Sequence, residues 1–376
     1  MPSFLTTLLN APGPSGFEST PARLWREEAA TFATEVRADV HGNSYATLSS
    51  HAPRTTHHAP SVMFAGHIDE IGLMVVHIDD EGFLTFDGIG GWDSQVFVGQ
   101  RVTLLGKKGP VPGVIGKKAI HLMDKDDREK ISKIEDLWID IGAKNKKDAE
   151  SRVRVGDAGV IASEVLELPN GRLVSRSMDN RIGAYVVLEA LRLLAQSRES
   201  RVTSRRSAGS KTRNSQLATC TVTAVATTQE EIGYSGGGAR TSATTLAADC
   251  AIVVDVTHAT DFPTSDKRKK GDFKLGGGPV LSRGSAVNPV VFEMLVAAAE
   301  KAKIPYAVEA APKFTSTDAD QIFTAHRGIA TGLVSVPLRY MHSPNELVQL
   351  EDVQRAAKLL AAFARMVGPK TSFIPK

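Results

Sequence analysis

Apolar and polar positions change texture three times along the chain. Residues 3–10 and 18–34 carry helical spacing and flank a turn-rich loop at Pro12 to Gly16; Pro21 suits a first helical turn. Residues 36–48 alternate as strands do, with a turn at His41-Gly42-Asn43, and 49–61 form a polar loop. Residues 62–65 are a short apolar run that stops at Gly66-His67-Ile68-Asp69-Glu70.

From about 71 to 163 the pattern becomes short alternating runs broken by glycine, which predicts a small β-rich barrel or sandwich inserted into the chain. Helical pieces are expected within it at 124–132 and near 146–152. Beyond 164 the pattern alternates between apolar strands and amphipathic helices. Strands are expected at 171–177, 221–226, 250–254, 306–310 and 330–336, and helices after Met178, from Gly236 to about 246, at 289–302 and at about 350–366. The organisation expected is one discontinuous unit, 1–70 and 164–376, around an inserted unit, 71–163.

Composition narrows the class. With 42% hydrophobic and 23% charged residues the 376-residue chain reads as soluble and globular, and no apolar run approaches the ~20 residues that span a bilayer. The N-terminus lacks a basic region and reads as mature sequence. Two cysteines, Cys220 and Cys250, lie in apolar runs and read as buried free thiols, which fits a cytoplasmic location. Residues 197–217 hold six basic residues and one acid; with a net charge of +3 for the chain, this segment is +5 and the remainder −2. The body is thus nearly neutral and carries no nucleic-acid signature, whereas 197–217 reads as a flexible basic insertion.

The candidate chemistry sits at strand ends. Residues 221–226 run into adjacent acids, Glu230 and Glu231, and acids at the end of a buried strand need compensation. His67 and Asp69 are two apart and share a face of an extended chain. Asp255 follows 250–254, His342 follows 330–336, and Asp179 opens the helix after Met178. Taken singly each has a plain reading: a solvated loop for the glutamates, a helix cap for Asp179. The histidines at 51, 57 and 58 read as a surface loop. Together His67, Asp179, Glu231, Asp255 and His342 suit two divalent ions with one shared carboxylate.

The stretches GHIDEIGLMV, SMDNRIGAY, TTQEEIGYSGGGA, VVDVTHATD and RYMHSPNE resemble metallopeptidase family 42, the glutamyl and tetrahedral (TET) aminopeptidases, as do GGWDSQVFVGQRV, WIDIGAKNKKDAE and RVGDAGVI in the inserted region. The resemblance implies an α/β fold, a mixed sheet sandwiched by helices with an inserted β-barrel-like domain used for dimerisation. It implies peptide substrates, homodimers that build a dodecamer, and two divalent ions per subunit, zinc or cobalt. Asp179 would bridge the ions, with His67 and Asp255 on one and Glu231 and His342 on the other. Glu230 would be the catalytic base and Asp69 would orient His67. Departures are the 197–217 segment, the 49–61 loop, and Thr315-Ser316-Thr317 where the family has glycines.

Another two-metal hydrolase on this scaffold, a carboxypeptidase or N-deacylase, would use an arginine clamp, for which Arg181, Arg283 and Arg339 are candidates. The endoglucanase label of some relatives would require paired acids without metal. An inactive scaffold that touches RNA through 197–217 would have a broken ligand set, yet all five positions are intact.

Overall fold

The computed structural model describes residues 1–49, 59–207, 220–233 and 237–376. Its frame is an eleven-stranded mixed sheet. Four strands at its centre run parallel: Thr221–Thr227, Ser61–His67, Cys250–His258 and Ala330–Arg339, in that spatial order. Being covered on both faces, they read as continuous apolar runs and not as alternating ones. Antiparallel strands extend both edges: Ser44–Leu48 and Glu35–Ala38 on one side, Glu346–Gln349, Arg172–Ser175 and Leu166–Leu168 on the other. A side branch pairs Val280–Gly284 with Ala330–Arg339 and with Ala307–Ala311.

Helix Met178–Ser207 packs on the parallel strands and against Leu350–Met366, which in turn meets Pro289–Ala302; Gly237–Leu246 packs with Ala319–Ile322 in a second group. The first helix approaches the sheet through glycines. A Cβ on Gly66 would lie 2.5 Å from the Gly183 carbonyl carbon, so no side chain fits at that crossing.

A closed six-stranded barrel is built from Gly72–Ile78, Leu84–Ile89, Leu137–Asp140, Gly109–Lys117, Arg101–Gly106 and Ala158–Ile161. It has its own apolar core around Leu73, Leu84, Phe97, Leu104 and Ile139, separate from the core of the large sheet. The fold is therefore the expected mixed sheet flanked by helices with a β-barrel unit.

Several local expectations need correction. Residues 124–132 hold only the short 3-10 turn Lys125–Asp127, because its charged residues offer no apolar stripe to bury. The helix after Met178 continues to Ser207, so residues 197–207 are helical where a flexible insertion was expected; the rest of 197–217 lies outside the described residues. The histidines at 51, 57 and 58 also lie outside them. Cys220 and Cys250 are buried and free. Among the described residues no helix is long and apolar enough to cross a membrane.

Candidate active site

The seven residues singled out above converge at the carboxyl ends of the parallel strands, where open α/β sheets place their sites. His67 is the last residue of its strand. Asp255 lies inside Cys250–His258, which runs four residues further than its apolar pattern suggested. Glu230 and Glu231 lie beyond Thr227 in a turn, not on extended chain, and Gln229 before them has φ 60°. Asp69 sets this turn: its Oδ1 accepts from the Glu230 amide at 3.3 Å and its Oδ2 from the Glu231 amide at 3.1 Å. Asp179 stands at the helix start with non-helical dihedrals, followed by a cis peptide to Asn180. His342 has φ 58°.

Asp179 occupies the middle. Its Oδ1 is 3.3 Å from His67 Nε2 and its Oδ2 is 3.6 Å from His342 Nε2. His342 Nε2 is also 3.4 Å from Glu231 Oε2. On the other side His67 Nε2 lies 3.7 Å from Glu230 Oε2 and 3.9 Å from Asp255 Oδ1. His67 Nδ1 faces Asp69 Oδ1 at 3.4 Å. Two overlapping donor sets, His67 with Glu230 and Asp255, and His67 with Asp179 and Glu231, each bring their donor atoms within 4.8 Å of one another. Glu230 is thus within ligating reach as well as Glu231.

Burial without a countercharge strains these groups. Desolvation, then neighbouring acids, holds Glu230 and Asp255 well above the ordinary carboxylate range, with His67 pulling the other way. Glu231 is pushed up to about 7 by burial and then by Asp179. His342 is raised to about 9, chiefly by its contact with Glu231. Burial pulls His67 down, but Glu230, Asp179 and Asp69 outweigh it. Glu231 Oε1 is buried with no hydrogen-bond partner. A nitrogen and oxygen donor set, a surplus of buried acid and an orphaned carboxylate oxygen together fit hard or borderline divalent cations.

The pattern of the sequence did not expose the residues that brace this cluster. Glu346 accepts from the Asp179 amide through Oε2 at 3.0 Å and from the His342 amide through Oε1 at 2.9 Å, tying two of the cluster's residues to one carboxylate. Glu18 Oε1 accepts from Gly16 and from Gln229, the residue before the acid pair. Asp318 faces the same cleft, is pushed up to about 6 by burial, and accepts from Thr227. The candidate clamps are engaged elsewhere. Arg181 is buried against Glu70 and the carbonyls of Ile68 and Ala11, Arg339 pairs with Asp261, and Arg283 lies over the Phe292 ring. None of the three lines the cleft.

A model of the M42 glutamyl aminopeptidase family matches residues 48–359. The chain belongs to this family. It is therefore placed among metal-dependent aminopeptidases. It is 32% identical to the lysyl aminopeptidase of Pyrococcus furiosus over 366 residues, covering 96% of each chain. A TET aminopeptidase from the marine sediment archaeon Thaumarchaeota archaeon SCGC AB-539-E09 superposes with TM-score 0.85 at 32% identity, covering 97% of this chain and 96% of the other. TET1 of Pyrococcus horikoshii, with TM-score 0.79, 28% identity and 97% and 99% coverage, can assemble into a tetrahedron or a large octahedral shell.

Proposed function

We propose that this M42 protein removes residues from the free N-terminus of peptides with two divalent ions, zinc or cobalt, shared through Asp179. The observation that carries this is the placement of the Asp179 carboxylate, one oxygen toward His67 at 3.3 Å and the other toward His342 at 3.6 Å. His67 and Asp255 would hold one ion, Glu231 and His342 the other. Such ions, when bound, lower the pKa of water and polarise a scissile carbonyl.

The chain's own groups supply the remainder. Glu230, at the cleft side of the cluster, takes a proton from the attacking water on Oε2 and returns it to the departing amine. Asp69 orients the His67 ring through Nδ1 while fixing the amides of both glutamates. The acid-rich end of the cleft attracts a cationic free α-amine, which a blocked or internal peptide bond lacks. The engaged arginines favour this over recognition of a C-terminal carboxylate.

The test compares one peptide in free, N-acetylated and C-amidated forms. Free and amidated forms should be cut at the N-terminal bond and the acetylated form spared, and a chelator should stop the reaction. Cleavage that requires a free C-terminus, or that releases the acetyl group, would establish the carboxypeptidase or deacylase reading instead. We assign 1–70 and 164–376 to the catalytic unit and 71–163 to the inserted unit. The barrel supplies the dimer contact, and dimers build the tetrahedral dodecamer. Exposed Val76, Val114 and Ile131 within residues 71–163 suit such a contact.

A further inference from the structure

Glu231 and His342, the residues assigned above to the second ion, both lie under one loop of the inserted barrel. His342 points Nε2 toward Asp179 at 3.6 Å and toward Glu231 at 3.4 Å. Its other ring nitrogen faces the barrel: a Cβ on Gly91 would stand 3.3 Å from Nδ1 and 3.5 Å from Cε1. Across this contact the ring donates a hydrogen bond to the Gly91 backbone carbonyl. The preceding residue, Gly90, approaches Glu231, since a Cβ there would lie 3.4 Å from the Glu231 carbonyl oxygen. The residues assigned to the first ion find their partners within the catalytic unit. His67 Nδ1 faces Asp69, and Asp255 Oδ1 accepts from the Val256 amide.

The loop is held by the body of the barrel. Gly90 has φ 81°, and a Cβ on it would come within 2.7 Å of Ile71 Cγ2, so the chain turns there only as glycine. Trp92 Nε1 donates to the carbonyls of Gly72 at 2.7 Å and Ile89 at 3.2 Å. The Trp92 ring packs on Phe97 of the barrel core, with centroids 4.4 Å apart. Asp93 then caps the helix Ser94–Phe97.

An imidazole that binds a cation through one nitrogen is fixed in tautomer and ring plane by what its other N–H meets. For His67 that partner is Asp69, two residues along its own chain. For His342 it comes from the other unit. The His342 amide on Glu346 fixes the main chain at φ 58° and leaves the rotation of the ring to its Nδ1 contact. Given the two-ion reading above, we propose that the Gly91 carbonyl, carried by the inserted barrel, is the positioning group for His342, so that the barrel governs retention of the ion held by Glu231 and His342 and leaves the ion held by His67 and Asp255 alone.

The experiment titrates Zn²⁺ into the metal-depleted full chain and reads both dissociation constants, for the native protein, Gly91→Ala, His342→Ala and the double variant. Gly91 does not have a left-handed φ, so alanine keeps the loop backbone and pushes on the ring. Gly91→Ala should weaken one ion by about 10- to 100-fold, the usual cost of disturbing a ligand's outer partner, and leave the other unchanged. In His342→Ala the same ion is already weakened, and adding Gly91→Ala should cost nothing more. Trp92→Phe, which keeps an aromatic ring and loses the Nε1 donor, should weaken that ion to a smaller extent. Equal weakening of both ions in Gly91→Ala, a full further loss in the double variant, or constants unchanged in both Gly91→Ala and Trp92→Phe would overturn the proposal. A native chain that takes up a single ion would instead overturn the two-ion reading on which it rests.

Discussion

Replacing Glu230 by glutamine separates proton transfer from ion binding at this site. The backbone at 230 is fixed by the Asp69 carboxylate, which accepts from the amides of both glutamates, so the substitution leaves the turn anchored. The side-chain Oε2 lies 3.7 Å from His67 Nε2. An amide of the same shape keeps that packing and cannot accept a proton. What is lost is the general acid–base contribution, about 10²- to 10⁴-fold in kcat, or roughly 3–5 kcal/mol of barrier. Both ions should stay bound.

Glu231 behaves differently. Its Oε2 stands 3.4 Å from His342 Nε2 and its Oε1 is buried without a partner. Glu231→Gln places an uncharged amide among ligands that need a countercharge, so one ion per chain should be weakened and excess metal should partly restore turnover. The assay is kcat at saturating aminoacyl-anilide beside elemental analysis of each desalted variant. Loss of an ion in Glu230→Gln, with both ions kept and only turnover lost in Glu231→Gln, would show the two roles reversed. That outcome is physically open to the molecule because Glu230 also lies within ligating reach of His67 and Asp255.

Two further outcomes follow from the same geometry. Burial and then Asp69 push Glu18 up from 4.5 to about 7, so the folded state binds this proton more tightly than the unfolded chain. Stability conferred by the protonated form is present at low pH and is lost as pH rises through that window; Glu18→Gln keeps the hydrogen-bonding shape and removes the loss. Its melting temperature should therefore gain on the native protein as pH rises, by at most about 3 kcal/mol in stability, and a constant difference across the window would contradict this. For assembly, light scattering at micromolar concentration should give the mass of twelve chains, and excision of 71–163 should abolish dimers; a native monomer would refute the assembly.

The parallel core was legible because strands covered on both faces become unbroken apolar runs, as at 250–254, and because each run stops near a residue that can bind a cation. His67, Asp179, Glu231, Asp255 and His342 could be grouped from that coincidence alone. The braces could not. Glu346 begins an ordinary short strand and Glu18 precedes an ordinary helix, and their importance lies in amides far away in sequence: Asp179 for one, Gln229 for the other. The separation of the Glu230 and Glu231 side chains was not legible either, because it rests on a turn whose amides Asp69 holds and on a left-handed Gln229. Arg181 shows the opposite error: a plausible carboxylate clamp by sequence, it is consumed by Glu70 inside the fold.

The central claim, two ions sharing Asp179, is tested most directly by anomalous X-ray scattering from crystals of zinc-loaded active protein. Two peaks per chain should flank the Asp179 carboxylate, one beside His67 and Asp255 and the other beside Glu231 and His342. A single peak in fully active protein, or two peaks of which neither touches Asp179, would contradict it.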